Sequence, residues 1–128
     1  MVYPSNLKYT AEHEWIKVAG RRGRIGITAF AQDQLGDVVY VELPAVGSIV
    51  TQSAVFGVID SVKASSDLYA PVTGTVTAMN DTLNSTPELV NKDPYGEGWM
   101  IEVDITEPGQ IEGLMDSATY EGQLGSGH

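Results

Sequence analysis

Lys63 is the side chain best placed to do chemistry, because it is an isolated cation in an acidic stretch. Between residues 25 and 91 it is the only Lys or Arg, and seven carboxylates share that span: Asp33, Asp37, Glu42, Asp60, Asp67, Asp81 and Glu88. A lysine amine is a nucleophile that can be acylated. The pattern therefore predicts a site of covalent attachment at Lys63, with an ordinary solvated lysine as the alternative.

The residues around Lys63 predict a β-hairpin that would present this amine. An apolar strand pattern over residues 55–59 is followed by small and polar residues, then by a second strand pattern that ends at Ala70 and Pro71. Two such patterns around a compact tip are typical of a hairpin. We expect a rigid base, anchored by Val55, Val58, Ile59, Leu68, Tyr69 and Val72. The tip would leave Lys63 accessible to a modifying enzyme.

Composition limits the other possibilities. The chain has 128 residues, with 42% hydrophobic and 19% charged residues, which fits one globular domain. We assign residues 1–124 to that domain and 125–128 to a flexible tail. The net charge is −10, which disfavours nucleic acids and anionic membranes as partners, and no apolar run is long enough to span a membrane. There is no cysteine, so a redox dithiol would have to come from an attached group.

Independent catalysis has little support in the sequence. His13 is the only histidine outside the terminal tail, and no nucleophile stands at a spacing that suggests a triad. One histidine and scattered carboxylates do not make a transition-metal site. The glycines form neither a phosphate-binding loop nor a dinucleotide fingerprint. We therefore expect a non-catalytic protein without a metal.

The elements that would position the hairpin are mainly strands. Strand patterns occupy residues 7–18, 24–27, 37–43 and 99–105, the last with Met100 on the face opposite Ile101. Related turn-and-strand patterns at residues 47–50 and 74–76 flank the hairpin. Two strand sets on either side of a central hairpin favour a β-sandwich with Lys63 at its apex.

Short helices are expected between the strands and at the C-terminus. Thr28 is a suitable N-cap and Gly36 a suitable C-terminal residue for one helix. Asn80 would cap a second turn, and Thr86 with Pro87 would begin a third. A C-terminal helix would open at residues 107–108, with apolar residues at helical spacing: Ile111, Leu114, Met115 and Ala118. Asp116 would cap a further short turn ending near Leu124.

Residues 60–71, the segment DSVKASSDLYAP, resemble the lipoyl-attachment segment of the H protein of the glycine cleavage system. Further blocks resemble the same family in the same order, namely residues 9–15, 26–28, 31–44, 87–91 and 93–99. Together they extend from about residue 7 to residue 124. One departure is Asp60, where the family usually has Glu. Asp60 keeps the charge, and we assign it to recognition by the lipoylating enzyme.

The resemblance implies a fold and a function. The fold would be a mainly β sandwich of the lipoyl/biotinyl-carrier hammerhead type, with short helices and a C-terminal helix. Lys63 would carry lipoate in amide linkage, attached by a lipoate ligase or lipoyltransferase. The carrier would take an aminomethyl group from glycine decarboxylase (P protein) to the tetrahydrofolate-dependent aminomethyltransferase (T protein). Lipoamide dehydrogenase (L protein) would then reoxidise it.

The resemblance also suggests which residues face the loaded arm. The carried amine would be cationic at neutral pH, so carboxylates could hold it. We expect Glu14 and Asp67 to be its partners, with Glu12 as a weaker candidate. The alternative is that all three only contribute to the acidic surface.

Other functions remain open at this point. They include a lipoyl-relay protein of the same type, a lipoyl domain of a 2-oxo acid dehydrogenase, a biotin carrier, and an unmodified relative. Val62 and Ala64 argue against biotin, because biotin domains usually flank their lysine with methionines. No signal peptide or transit peptide is visible, so we expect a bacterial cytoplasmic protein, with a mature mitochondrial matrix form as the alternative.

Overall fold

The computed structural model describes residues 3–126 and contains two antiparallel β-sheets. The larger sheet has six strands in the order β1-β2-β3-β9-β8-β5, and the smaller has three in the order β4-β6-β7. The strands are β1 (Lys8–Tyr9), β2 (Glu14–Ala19), β3 (Arg22–Ile27), β4 (Val38–Glu42), β5 (Ile49–Val50), β6 (Val55–Ser61), β7 (Ser65–Tyr69), β8 (Gly74–Met79) and β9 (Ile101–Ile105). The expected mainly β fold with short helices is confirmed.

In the described part of the chain, four α-helices and one 3-10 helix connect or follow the strands. They are α1 (Ala29–Leu35), α2 (Thr82–Ser85), α3 (Leu89–Lys92), the 3-10 helix Pro108–Gly113 and α4 (Ser117–Ser126). None of them, within the described residues, is long and apolar enough to cross a membrane.

Helix α1 has the predicted boundaries, for the predicted reasons. The Thr28 hydroxyl accepts a hydrogen bond from the backbone N–H of Ala31 at 3.2 Å, which satisfies one of the free donors at the helix start. Gly36 ends the helix with a φ of 78°, a left-handed value that glycine adopts without the steric cost of a Cβ.

The expectation of a continuous C-terminal helix from residue 107 is wrong. A 3-10 helix ends at Gly113, and Leu114 is extended before α4 begins at Ser117. The reason is tertiary: Met115 forms two backbone hydrogen bonds with Tyr9, at 2.8 and 2.9 Å, which a helix would not permit. Asp116 caps α4, accepting from the Thr119 N–H at 2.8 Å. Helix α4 includes Gly125 and Ser126 of the predicted tail, while residues 127–128 lie outside the described residues.

Two smaller expectations are also wrong. Asn80 does not cap α2 with its side chain, because its amide donates instead to the carbonyls of Glu97 and Trp99 at 2.8 Å each. The strand predicted from residue 99 begins only at Ile101, and Met100, which precedes it, is fully buried.

The buried hydrophobic residues among positions 3–126 form two clusters. The larger one lies between the two sheets and includes Ile16, Ile25, Ile59 and Val103. The smaller one is aromatic and is built from Leu7, Tyr9, Trp15 and Tyr120, with the rings of Tyr9 and Tyr120 stacked at 4.8 Å. Tyr3 packs edge-on against Tyr120, so the chain contacts this cluster from that residue onward. The aromatic cluster fixes α4 against β1 and β2.

Candidate functional site

Lys63 lies at the exposed tip of the β6–β7 hairpin, as predicted. The strands pair from Val55 opposite Tyr69 to Asp60 opposite Ser65, which leaves residues 62–64 as the tip. At the base, Ile59 and Leu68 are almost fully buried, whereas Val58 is only half-buried and Val55 is exposed, so the expectation that Val55 anchors the base is wrong. The hairpin therefore has an anchored base and a solvent-accessible end.

Ser61 shapes the tip with hydrogen bonds inside the hairpin. Its backbone N–H donates to the Ala64 carbonyl at 2.7 Å, and its hydroxyl accepts from the Ala64 N–H at 3.1 Å. Below the tip, the Ser65 hydroxyl donates to the Asp60 carboxylate at 2.5 Å. Asp60 thus lies on the hairpin directly below the tip.

A cavity of about 180 Å³ lies beside the hairpin and brings the three predicted carboxylates together. One part of its wall is acidic and another part is apolar. The acidic part is formed by Glu12, Glu14 and Asp67, and the apolar part includes Ile27, Leu35, Ile59 and Leu68. Lys63 is not among the lining residues. The structure therefore groups Glu12, Glu14 and Asp67 as predicted but separates the cavity from the lysine amine.

Glu14 is the unusual member of this group, because its side chain is only 2% exposed. One carboxylate oxygen accepts from the Thr10 hydroxyl at 2.6 Å, and the other accepts from the Tyr69 backbone N–H at 3.2 Å. Burial raises the pKa of Glu14 from 4.5 to about 7, because removal from water disfavours the charged form more than these hydrogen bonds favour it. Near neutral pH this carboxyl can therefore be either neutral or charged.

Glu12 and Asp67 differ from Glu14 because both are exposed. They lie at the open side of the cavity, while Glu14 lies in its interior. A cavity with an apolar wall and carboxylates at two depths can hold an apolar chain that ends in a cation.

His13 and Tyr120 support this wall through a contact that no sequence pattern indicated. His13 has a φ of 74°, and its Nδ1 lies 2.7 Å from the Tyr120 hydroxyl, which is also 2.8 Å from the Thr28 hydroxyl. Burial lowers the pKa of His13, although nearby Glu12 opposes this effect. Tyr120 follows His13 by 107 residues, so no local pattern could have indicated the contact.

Comparisons with known proteins point to one family. The family model described as "Glycine cleavage H-protein" matches residues 7–126. A glycine cleavage system H protein from Symbiobacterium thermophilum is 54% identical over 118 residues, covering 92% of each chain. A probable glycine cleavage system H protein from Haloarcula marismortui is 51% identical and covers 94% of this chain and 95% of the relative.

A solved structure agrees with these sequence matches. The crystal structure of a glycine cleavage system H protein from Mycobacterium marinum superposes with a TM-score of 0.89 at 37% identity. The match covers 96% of this chain and 99% of that one.

Proposed function

The chain belongs to the glycine cleavage H-protein family, and we propose that it is the lipoyl carrier of the glycine cleavage system, with lipoate in amide linkage to Nζ of Lys63. The observation that carries the proposal is the exposed lysine at the tip of an anchored hairpin, beside a cavity with carboxylates. In this role the chain is not itself a catalyst, and its partners supply the catalytic groups.

The residues at the tip fit the attachment of an acyl group. Lys63 is exposed, and its neighbours Ala64, Ser65 and Ser66 are small, so an enzyme can approach the amine without steric obstruction. Buried Ile59 and Leu68 keep the hairpin base fixed while the side chain moves. We assign Asp60 to recognition by the lipoate ligase or lipoyltransferase, because it lies on the hairpin next to the tip.

The cavity fits the far end of such an arm. It is lined by Ser66, Asp67 and Leu68 of β7, the strand that leads away from the tip. From Lys63 to Asp67 the chain advances four residues, about 13 Å along an extended strand. A lysine side chain extended by an acyl chain of octanoyl length can reach this far when it folds back along β7.

When attached, the lipoyl group would supply a disulfide that accepts the aminomethyl group together with an electron pair. The S–S bond would break, so that one sulfur would carry the aminomethyl group and the other would become a thiol. The chain's own contribution is to hold the resulting cationic amine. We assign Glu14 and Asp67 to that role: Asp67 meets the amine at the cavity opening, and Glu14 meets it in the interior, shielded from water. A cation in the cavity would favour the charged form of Glu14 and so lower its pKa.

The partners follow from this role. Glycine decarboxylase would supply the aminomethyl group, the tetrahydrofolate-dependent aminomethyltransferase would remove it, and lipoamide dehydrogenase would restore the disulfide. A reconstitution with purified glycine decarboxylase tests the proposal: the lipoylated chain should support glycine-dependent exchange of labelled bicarbonate. Lys63→Arg, treated identically, should not support it. Equal exchange with both chains would refute the assignment of Lys63.

A further inference from the structure

The tip of the hairpin, residues 62–64, contacts the short linker between α1 and β4, residues 36–37. The hydrogen bonds of Ser61 close the tip on itself but do not determine where it points. The Val62 N–H donates to the Asp37 carbonyl at 3.0 Å. Within the described chain, this is the one hydrogen bond that joins residues 62–64 to a segment outside the hairpin.

The lysine side chain lies against the same linker. A Cβ placed on Gly36 would be 3.4 Å from Cε of Lys63, so the aliphatic part of the lysine passes directly over the Gly36 backbone. Gly36 has a positive φ, which favours glycine at this position, and as a glycine it presents no side chain to the lysine. The position of residues 36–37 therefore affects both the tip backbone and the direction of the lysine side chain.

The side chain of Asn91 makes three hydrogen bonds, of which two hold this linker and one joins α1. Its amide NH₂ donates to the Gly36 carbonyl at 2.8 Å and to Oε1 of Gln32 at 3.0 Å. Its carbonyl oxygen accepts from the Val38 N–H at 2.9 Å. These contacts use both donors and the acceptor of the side chain. The bonds to Gly36 and Val38 hold the linker at its two ends.

The position of Asn91 is set by the packing of α3 against the core. Asn91 lies in α3 next to Val90, which is fully buried in the main core. A continuous path therefore runs from the core through Asn91 to the linker, and from the linker to Val62 and Lys63. Within the described residues the side chain of Asn91 forms no hydrogen bond with residues 62–64, so we expect it to act on the lysine through the linker.

We propose that Asn91 is a positioning residue for the modification of Lys63: it holds residues 36–38 so that the tip presents the amine in one orientation to the acylating enzyme. This inference rests on the proposed function for its enzymatic consequence. Without the three hydrogen bonds the tip would sample several orientations. An enzyme that binds only one of these orientations would find only a fraction of the chains in that orientation, so its apparent affinity for the chain would be lower.

The first test measures the tip directly and needs no lipoate. In Asn91→Ala, hydrogen exchange of the Val62 amide should become roughly tenfold faster, because its acceptor Asp37 is no longer held in place. The Val103 amide, in the centre of the larger sheet, should keep its wild-type rate. The matched control is Asn84→Ala, the same change at an exposed position of α2. An unchanged rate at Val62, or equal acceleration at Val62 and Val103, would overturn the proposal.

The second test measures acylation by a purified lipoate ligase with lipoate and ATP. For Asn91→Ala we expect KM for the protein to rise roughly tenfold with kcat nearly unchanged, because the ligase must select one tip orientation. Gln32→Ala removes one of the three contacts and should give a smaller rise, and Asn84→Ala should give none. A wild-type KM for folded Asn91→Ala would refute the positioning role.

The two proposals can fail separately. If the wild-type chain is not acylated on Lys63 at all, the proposed function falls. The exchange rate of the Val62 amide still decides whether Asn91 holds the tip.

Discussion

The burial of Glu14 leads to a specific prediction about stability and pH. Glu14→Gln replaces a carboxyl by an amide of the same shape. The amide nitrogen can donate to the Thr10 hydroxyl and the amide oxygen can accept from the Tyr69 N–H, as a protonated carboxyl would. The variant should therefore resemble the wild-type protein with Glu14 kept neutral at every pH.

The magnitude follows from the pKa of Glu14, which is 4.5 ordinarily and about 7 in the fold. The folded protein thus binds this proton more tightly than the unfolded chain does. Stability contributed by the neutral carboxyl is complete below about pH 4.5 and is lost as the pH rises towards 7. Each pKa unit corresponds to about 1.4 kcal/mol, so the loss is on the order of 3 kcal/mol.

Urea denaturation of both proteins at several pH values tests this. Other ionisable groups contribute equally to the two curves, so the difference in unfolding free energy isolates Glu14. Glu14→Gln and wild type should be about equally stable near pH 4.5, and the variant should be more stable by on the order of 2–3 kcal/mol above pH 7.5. A difference that does not change with pH would refute the reasoning that burial sets the pKa of Glu14.

Three further predictions follow from burial and hydrogen bonding. Ile59→Ala should lower the unfolding free energy by about 2–4 kcal/mol, because it leaves a cavity at a site that is 1% exposed. Val58→Ala, at a half-buried site, should lower it by only about 1 kcal/mol. Similar urea midpoints for the two variants would contradict the packing of the hairpin base. Thr28→Ala removes a helix cap and a partner of the Tyr120 hydroxyl and should cost about 1–2 kcal/mol, measured by thermal unfolding; no change in Tm would argue against the cap. Glu14→Ala combined with Asp67→Ala should leave lipoylation intact but, after loading by glycine decarboxylase, release ammonia and formaldehyde faster than wild type; equal release would remove both carboxylates from the proposed role.

The parts of the fold that the sequence predicts are those set by local chemistry. Helix α1 begins at a threonine cap and ends at a glycine with positive φ, and both features are readable from residue type. The Lys63 hairpin is equally local, because an apolar strand, small tip residues and a returning strand are contiguous in the chain. In these segments no distant contact competes with the local preference.

The parts that the sequence does not predict depend on distant partners. Leu114 and Met115 have helical spacing, yet pairing of Met115 with Tyr9 makes this segment extended. In the site, the grouping of Glu12, Glu14 and Asp67 was expected, but the nearly complete burial of Glu14 was not. Both features depend on distant parts of the chain: the Glu14 carboxylate contacts Tyr69 of β7, and His13 contacts Tyr120 of α4.

The measurement that tests the central claim most directly is intact mass followed by peptide mapping, on chain treated with lipoate, ATP and a lipoate ligase. We expect a gain of one lipoate less one water, located on Lys63, and no gain for Lys63→Arg, whose guanidinium is not acylated in this way. Circular dichroism should show both proteins equally folded. A lipoyl group found on Lys8 or Lys92, or an equal gain in Lys63→Arg, would contradict the account.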